Sequence, residues 1–185
     1  MFDANCLKLM FVAGSQDFYH IKGGKNDRID ALLDALELAL QSKITAFQFR
    51  QKGDLALQDP VEIKQLALEC QKLCQKYGVP FIVNDEVKLA LELKVDGVHV
   101  GQEDMAIEEV MTLCKKHQFI GLSVNTLEQA LKARHLDGVA YFGVGPIFPT
   151  RSKKDKQVVG VELLKKIKDS GVKKPPHSDW GHHDA

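Results

Sequence analysis

The sequence predicts an α/β fold built from parallel strands, on two observations. Short apolar runs alternate six times with helix-period segments, always in strand–helix order. The runs are close to continuously apolar, as strands buried on both faces must be. A third observation bears on function. Residues 143 to 156, GVGPIFPTRSKKDK, lead out of the end of the last of these runs and combine two Gly and two Pro with a Thr, a Ser and several cations. A loop of that composition is suited to receive an anion on backbone N–H groups, hydroxyls and positive charge.

The elements follow in order. LKLMFVA (7–13) is the first apolar run, and a helix fills about 27–41 with Leu32, Leu33, Leu36 and Leu40 on one stripe. TAFQFR (45–50) is strand-like, and the helix over 57–78 stops at Gly78. PFIVN (80–84) is a strand before a short helix, EVKLALEL (86–93). DGVHV (96–100) is a strand and MAIEEVMTLCKKH (105–117) a helix. FIGLS, ending with Ser123, is a strand before the helix TLEQALKARH (126–135). GVAYFGVG (138–145) is the sixth strand and GVELLKKIKDSG (160–171) its helix. The spacing suits a doubly wound sheet or a (β/α)8 barrel, from which six units fall two short.

Composition narrows the class. A chain of 185 residues, 44% hydrophobic and 27% charged, fits one domain with a sizeable core. Lys plus Arg and Asp plus Glu stand at 25 each, so no overall field favours nucleic acid or an anionic membrane, and neither is expected as a partner. Four Cys do not make a disulfide scaffold. Cys70 and Cys74 lie one helical turn apart, but no second ligand pair accompanies them, so they read as buried thiols rather than a zinc site. No basic leader or run of membrane-spanning length is present, and the cytoplasm is the expected compartment. The sequence is silent on oligomeric state.

Parallel α/β folds bind ligands at the C-terminal ends of their strands. In QFRQK (48–52) the period of two sets Gln48, Arg50 and Lys52 on one face, with Phe47 and Phe49 toward the covering helices. Such a polar row either meets an anion or is a solvated strand end. The third strand ends in Asn84-Asp85, and the fourth runs through His99 to Asp104. Two carboxylates beside cations suit a Mg²⁺ that itself binds phosphate oxygens. Asp104 alone also suits a helix N-cap before MAIEEV, and His99 a hydrogen-bonded core histidine. Ser123 is either a turn residue or an anion donor. In the opening loop Thr150 and Ser152 offer hydroxyls and Lys153 a charge, while Arg151, Lys154 and Lys156 read as solvated. IKGGK (21–25) lacks phosphate-loop spacing and reads as a flexible connection.

QFRQK, VND, DGVHVGQED, GLSVNT and YFGVGPIFPTRSKKD, in that order, resemble the motifs of the thiamine-phosphate synthase family over about residues 7 to 170. The resemblance implies a (β/α)8 TIM barrel that joins 4-amino-2-methyl-5-hydroxymethylpyrimidine diphosphate to a thiazole phosphate and releases pyrophosphate. It implies that Gln48, Arg50, Lys52, Asn84, Ser123 and Lys153 contact the pyrimidine diphosphate. It implies Asp85 and Asp104 as Mg²⁺ ligands, and Thr150, Arg151 and Ser152 as contacts of the thiazole phosphate. In that chemistry the pyrimidine C–O bond breaks first, the amino group stabilises the resulting cation, and the thiazole nitrogen attacks. No side-chain nucleophile is needed. A thiazole tautomerase-like relative, or a non-catalytic remnant that binds a phosphate ligand, is the alternative. Arg50, Lys52, Asp85, Asp104 and Lys153 favour the synthase, since an isomerase needs no Mg-diphosphate site.

The family continues with a strand ending in a Gly-Gly-Ile turn and then an eighth strand. Residues 1–174 therefore read as an incomplete barrel of about six units, and 175–185 as a disordered tail outside the family pattern. The codons of HSDWGHHDA, read one base later, permit Ile-Ala-Ile-Gly-Gly-Ile-Thr, so a frame shift near Pro175 or Pro176 is expected. On that reading strands one and six carry unpaired edges, and the chain is expected to be unstable and weakly active.

Overall fold

Residues 2–148 and 158–178 are described by the computed structural model. They fall into two units. Asp3–Val98 form one, and the described residues from His99 onward, with Phe2, form the other.

In the first unit β1 (Met10–Ala13), β2 (Ala46–Phe49) and β3 (Phe81–Asn84) are parallel neighbours, with Phe11 opposite Phe47 and Phe47 opposite Phe81. A one-turn 3-10 helix, Ala4–Leu7, takes the start of the first apolar run, so the strand is shorter than 7–13. Two connecting helices, α1 (Lys25–Gln41) and α2 (Pro60–Tyr77), pack against each other, and α3 (Val87–Leu93) follows β3. The expected stripe of α1 is buried at Leu32, Leu36 and Leu40. α2 starts three residues later than its apolar pattern because Asp59 caps the amide of Val61 and Pro60 takes the first helical position. It ends at Gly78 in the left-handed region (φ 66°). β4 (Gly97–Val100) starts beside β3: Asp96 N–H donates to the carbonyl of Phe81 at 3.1 Å, and its carboxylate accepts from Phe81 N–H at 2.9 Å. Strands that follow chain order in this way match neither doubly wound arrangement.

The second unit holds α4 (Ile107–Leu113), β5 (Phe119–Val124), α5 (Leu127–Ala133), β6 (Val139–Val144), α6 (Gly160–Asp169) and β7 (Pro176–Ser178). β5 and β6 are parallel, with a register shift between Ile120 and Gly121. α5 opens on a capping box in which Thr126 and Gln129 satisfy each other's amides. α4 is shorter than the apolar pattern of 105–117. Gln118 donates its backbone N–H to the carbonyl of Lys115 and accepts the Lys115 N–H on its side chain, closing a turn where the helix was expected to continue.

Two expectations are corrected at the end of the chain. Pro176–Ser178 were expected in a disordered tail with no strand; they form β7, parallel to β6, with Gly143 opposite His177. Accordingly the β6 edge is not unpaired: Phe142 N–H donates to the carbonyl of Pro175 at 3.1 Å. A parallel ladder needs only backbone groups, and Pro is tolerated at a strand's first residue. The rest of the expected tail, 179–185 with His182 and His183, lies outside the described residues. Among the described residues no helix is long and apolar enough to cross a membrane.

Cys70 and Cys74 are buried on α2 as free thiols, as the sequence reading holds. Burial, followed by the charge of Asp96, pushes the Cys74 thiol up to about 12, and burial pushes Cys70 up further. Neither is expected to react with a thiol-specific dye at mildly alkaline pH in the native protein, and both are expected to react in denaturant; prompt native-state labelling of either contradicts this placement. Phe81 is 1% exposed, with its ring centroid 6.0 Å from that of Phe47 and 6.2 Å from that of Phe49. Phe81→Ala is expected to cost about 3–5 kcal/mol in urea unfolding, and a loss under about 1 kcal/mol contradicts a central role for this cluster.

Candidate functional site

Polar groups gather where the strands end. In the first unit Gln48 and Arg50 are not a solvated strand end: they are 5% and 9% exposed. Gln48 lies within β2, its amide nitrogen 3.5 Å from the Met10 sulfur. Arg50 follows β2 and anchors its backbone N–H on the carbonyl of Ala13. Its planar fork of donors has the geometry that binds carboxylate or phosphate oxygens in pairs. Lys52 is half exposed and reaches Asp85, with Nζ 2.6 Å from Oδ2. Asn84 closes β3, and Asp85 takes a left-handed backbone (φ 64°) directly after it. Asp tolerates that region better than most residues, but it is uncommon, and such outliers concentrate at functional sites. The exposed half of the Lys52–Asp85 pair makes it weak as a stabilising contact.

Three residues that the sequence reasoning passed over hold this strand end in place. Gln16 donates its amide to the carbonyl of Arg50 at 2.8 Å. Gln51 accepts from the hydroxyl of buried Ser15 and from the backbone N–H of Leu57, both at 3.2 Å. The signal was slight: Gln51 occupies the opposite face from Gln48 and Arg50 in QFRQK, and a glutamine there reads as solvated.

In the second unit His99 is a buried histidine, as one sequence reading had it, with both ring nitrogens engaged. Nδ1 lies 2.9 Å from the Tyr141 hydroxyl and Nε2 lies 2.9 Å from the Ser123 hydroxyl. Ser123 belongs to β5 rather than a turn and is half-buried. Tyr141 was not singled out in the sequence because an aromatic in an apolar strand reads as core. Gly121 and Gly143 leave room for the pair. A Cβ on Gly121 falls 2.3 Å from Tyr141 Cζ and 2.4 Å from His99 Nδ1, and one on Gly143 falls 2.7 Å from His99 Cε1.

Asp104 is not the cap of α4. That position is Ala106, and Asp104 instead accepts the backbone N–H of Gly101 at 2.8 Å, bracing the turn after β4. Gln102, in the same turn, donates to the carbonyl of Ser123 at 2.6 Å. Asp85 and Asp104 offer hard carboxylate oxygens, the donors Mg²⁺ prefers. Among the described residues no three His, Cys, Asp or Glu side chains converge as a metal cluster. Carboxylate oxygens of this kind suit Mg²⁺ rather than zinc, which prefers nitrogen and sulfur ligands. Thr150, Arg151, Ser152 and Lys153 lie outside the described residues.

The family model described as thiamine monophosphate synthase matches residues 18–176. A thiamine-phosphate synthase of Helicobacter pylori (strain Shi470) is 94% identical over 175 residues, covering 95% of this chain and 80% of that relative. One from Pasteurella multocida (strain Pm70) is 53% identical over 170 residues, covering 91% of this chain and 76% of that relative. Among solved structures, a thiamine phosphate pyrophosphorylase from Pyrococcus furiosus superposes with a TM-score of 0.72 at 32% identity, over 93% of this chain and 74% of that one.

The close approach of His99 and Tyr141 to Gly121 is directly testable. Gly121→Ala is expected to destabilise the protein by about 1–3 kcal/mol in urea unfolding, because neither ring can retreat within a packed core. An unchanged midpoint contradicts the packing described.

Proposed function

The chain belongs to the thiamine monophosphate synthase family, and we propose that it is the transferase that joins 4-amino-2-methyl-5-hydroxymethylpyrimidine diphosphate to a thiazole phosphate, giving thiamine phosphate and pyrophosphate. The observation that carries the reading is the buried Arg50 guanidinium at the end of β2, followed by Lys52 and its partner Asp85. Charge of that kind in a parallel α/β fold has its natural use in binding a diphosphate. The (β/α)8 architecture of the resemblance and a cytoplasmic location belong to the same proposal.

The roles follow from side-chain chemistry. Arg50 carries a planar fork of donors suited to two phosphate oxygens at once. Lys52 supplies a point charge, and Lys153 is proposed to supply another. Gln48 and Asn84 offer amides that both donate and accept, which suits the edge of an aminopyrimidine. Ser123 offers a hydroxyl to the diphosphate. Thr150, Arg151 and Ser152 are proposed to receive the thiazole phosphate. Asp85 and Asp104 are the proposed ligands of Mg²⁺, which when bound would neutralise charge on the departing pyrophosphate. The residues hold the leaving group and the acceptor, and the bond exchange needs no side-chain nucleophile.

Incubation with both substrates and Mg²⁺ is expected to release pyrophosphate and form thiamine phosphate in equal amounts. Arg50→Ala is expected to lower kcat/KM by about a hundredfold, with Arg50→Lys recovering only part of it. Binding of the pyrimidine diphosphate without pyrophosphate release would instead make the chain a non-catalytic ligand binder. Thiazole isomerisation without release would make it tautomerase-like.

A further inference from the structure

His99 sits between two hydroxyls, and its two ring nitrogens cannot play the same role. A neutral imidazole has one N–H donor and one acceptor. Nδ1 faces the Tyr141 hydroxyl and Nε2 faces the Ser123 hydroxyl, each at 2.9 Å. The phenol is more acidic than the alcohol of serine and is the better donor. With its one hydrogen given to Nδ1, the ring proton must sit on Nε2, and Nε2–H then donates to Ser123 Oγ. Ser123 is left with its own O–H hydrogen to give elsewhere.

We infer that His99 is a positioning residue: through a fixed tautomer set by Tyr141, it turns the hydroxyl of Ser123 into a donor aimed at an anionic oxygen of the pyrimidine diphosphate. The inference rests on the reading of Ser123 as a contact of that substrate. The opposite tautomer would take the Ser123 hydrogen for Nε2 and present only oxygen lone pairs to the anion, which repels it.

The surroundings are built to keep this arrangement. Tyr141 is fully buried and His99 is 6% exposed. The Tyr141 ring stacks on Phe2, with centroids 6.0 Å apart, and meets Phe119 at 6.4 Å. Gly121 and Gly143 lack the Cβ atoms that would displace the two rings. All three polar residues stand on strands, β4, β5 and β6, rather than on loops. Ser123 alone of the three is half-buried, so the relay begins in the core and ends at the group with access to solvent.

The test begins without substrate. In ligand-free protein with ¹⁵N-labelled histidine, the His99 resonances are expected to show a protonated Nε2 and an unprotonated Nδ1. In Tyr141→Phe, Nδ1 has lost its donor, the tautomer is no longer held, and the Ser123 hydroxyl is expected to be free to turn its hydrogen back toward Nε2. That variant is expected to lower kcat/KM for the pyrimidine diphosphate about tenfold, the loss due to one hydrogen bond to a charged group. Ser123→Ala is expected to lose the same amount, and the double variant no more than either single one, since all three remove one interaction. His99→Gln, which can place an amide N–H near Nε2, is expected to retain more activity than His99→Leu. A proton on Nδ1, or on both nitrogens, in the native protein overturns the relay whatever the kinetics. A protonated Nε2 with no kinetic effect of Ser123→Ala overturns instead the assignment of Ser123 to the substrate, and the proposed role with it. Additive losses in the double variant reduce Tyr141 to a packing residue and overturn the inference.

Discussion

Parallel strands buried on both faces leave no room for a polar side chain that is not paired, and most of the chemistry of this chain follows from that. β2 and β4 are buried at all four of their residues. A buried polar group without a partner costs more than a single hydrogen bond returns. Gln48 and His99 are therefore commitments: each must be met by other protein groups or by a ligand. His99 is met by two hydroxyls, from Ser123 of β5 and Tyr141 of β6. The rest of the polar chemistry is displaced to the strand ends, where Arg50, Lys52, Asp85 and Asp104 stand.

At those ends the backbone is held by Gln16, Gln51 and Gln102, which have no place in the proposed chemistry, and by Asp104, which does. Gln16 and Gln51 fasten the segment after β2 from two sides, through the carbonyl of Arg50 and the amide of Leu57. Asp104 closes the turn after β4, and Gln102 of that turn reaches the backbone of Ser123. Loops that carry cations are costly to order, since a long side chain loses rotamer freedom when fixed. Pinning the backbone beforehand means that a bound diphosphate has only the side chains left to order, which leaves more of the contact energy for binding.

What the sequence made legible was whatever leaves a periodic trace. Leu32, Leu36 and Leu40 repeat at helical spacing, and Phe47 and Phe49 alternate with Gln48, so α1 and β2 were readable to within two residues. The motif residues Arg50, Asp85 and Ser123 were readable because polar groups at the ends of apolar strands are conspicuous. The failures share a cause. α4 ends early through a turn closed by the side chain of Gln118, β7 pairs through backbone alone, and Ala106 rather than Asp104 caps α4. None of these has a period. Tyr141 escaped notice for the opposite reason: its ring fits the apolar pattern of β6, and only the position of its hydroxyl gives it a second role.

The cost of the His99 arrangement shows why it is hard to read as a device for stability. Glycine within a strand weakens it by about 0.5–1 kcal/mol relative to alanine, and Gly121 and Gly143 both stand in strand interiors. The two hydrogen bonds of His99 each contribute about 0.5–1.5 kcal/mol net, so the pair roughly offsets the two glycines. An apolar residue at each position, with ordinary side chains on the flanking strands, would fill the same volume without the risk that one broken bond leaves a polar group stranded. What apolar packing cannot supply is direction. A hydroxyl whose lone pair is already taken by an N–H has its remaining hydrogen turned away from the core, and an imidazole bonded at both nitrogens sets that direction before any ligand arrives.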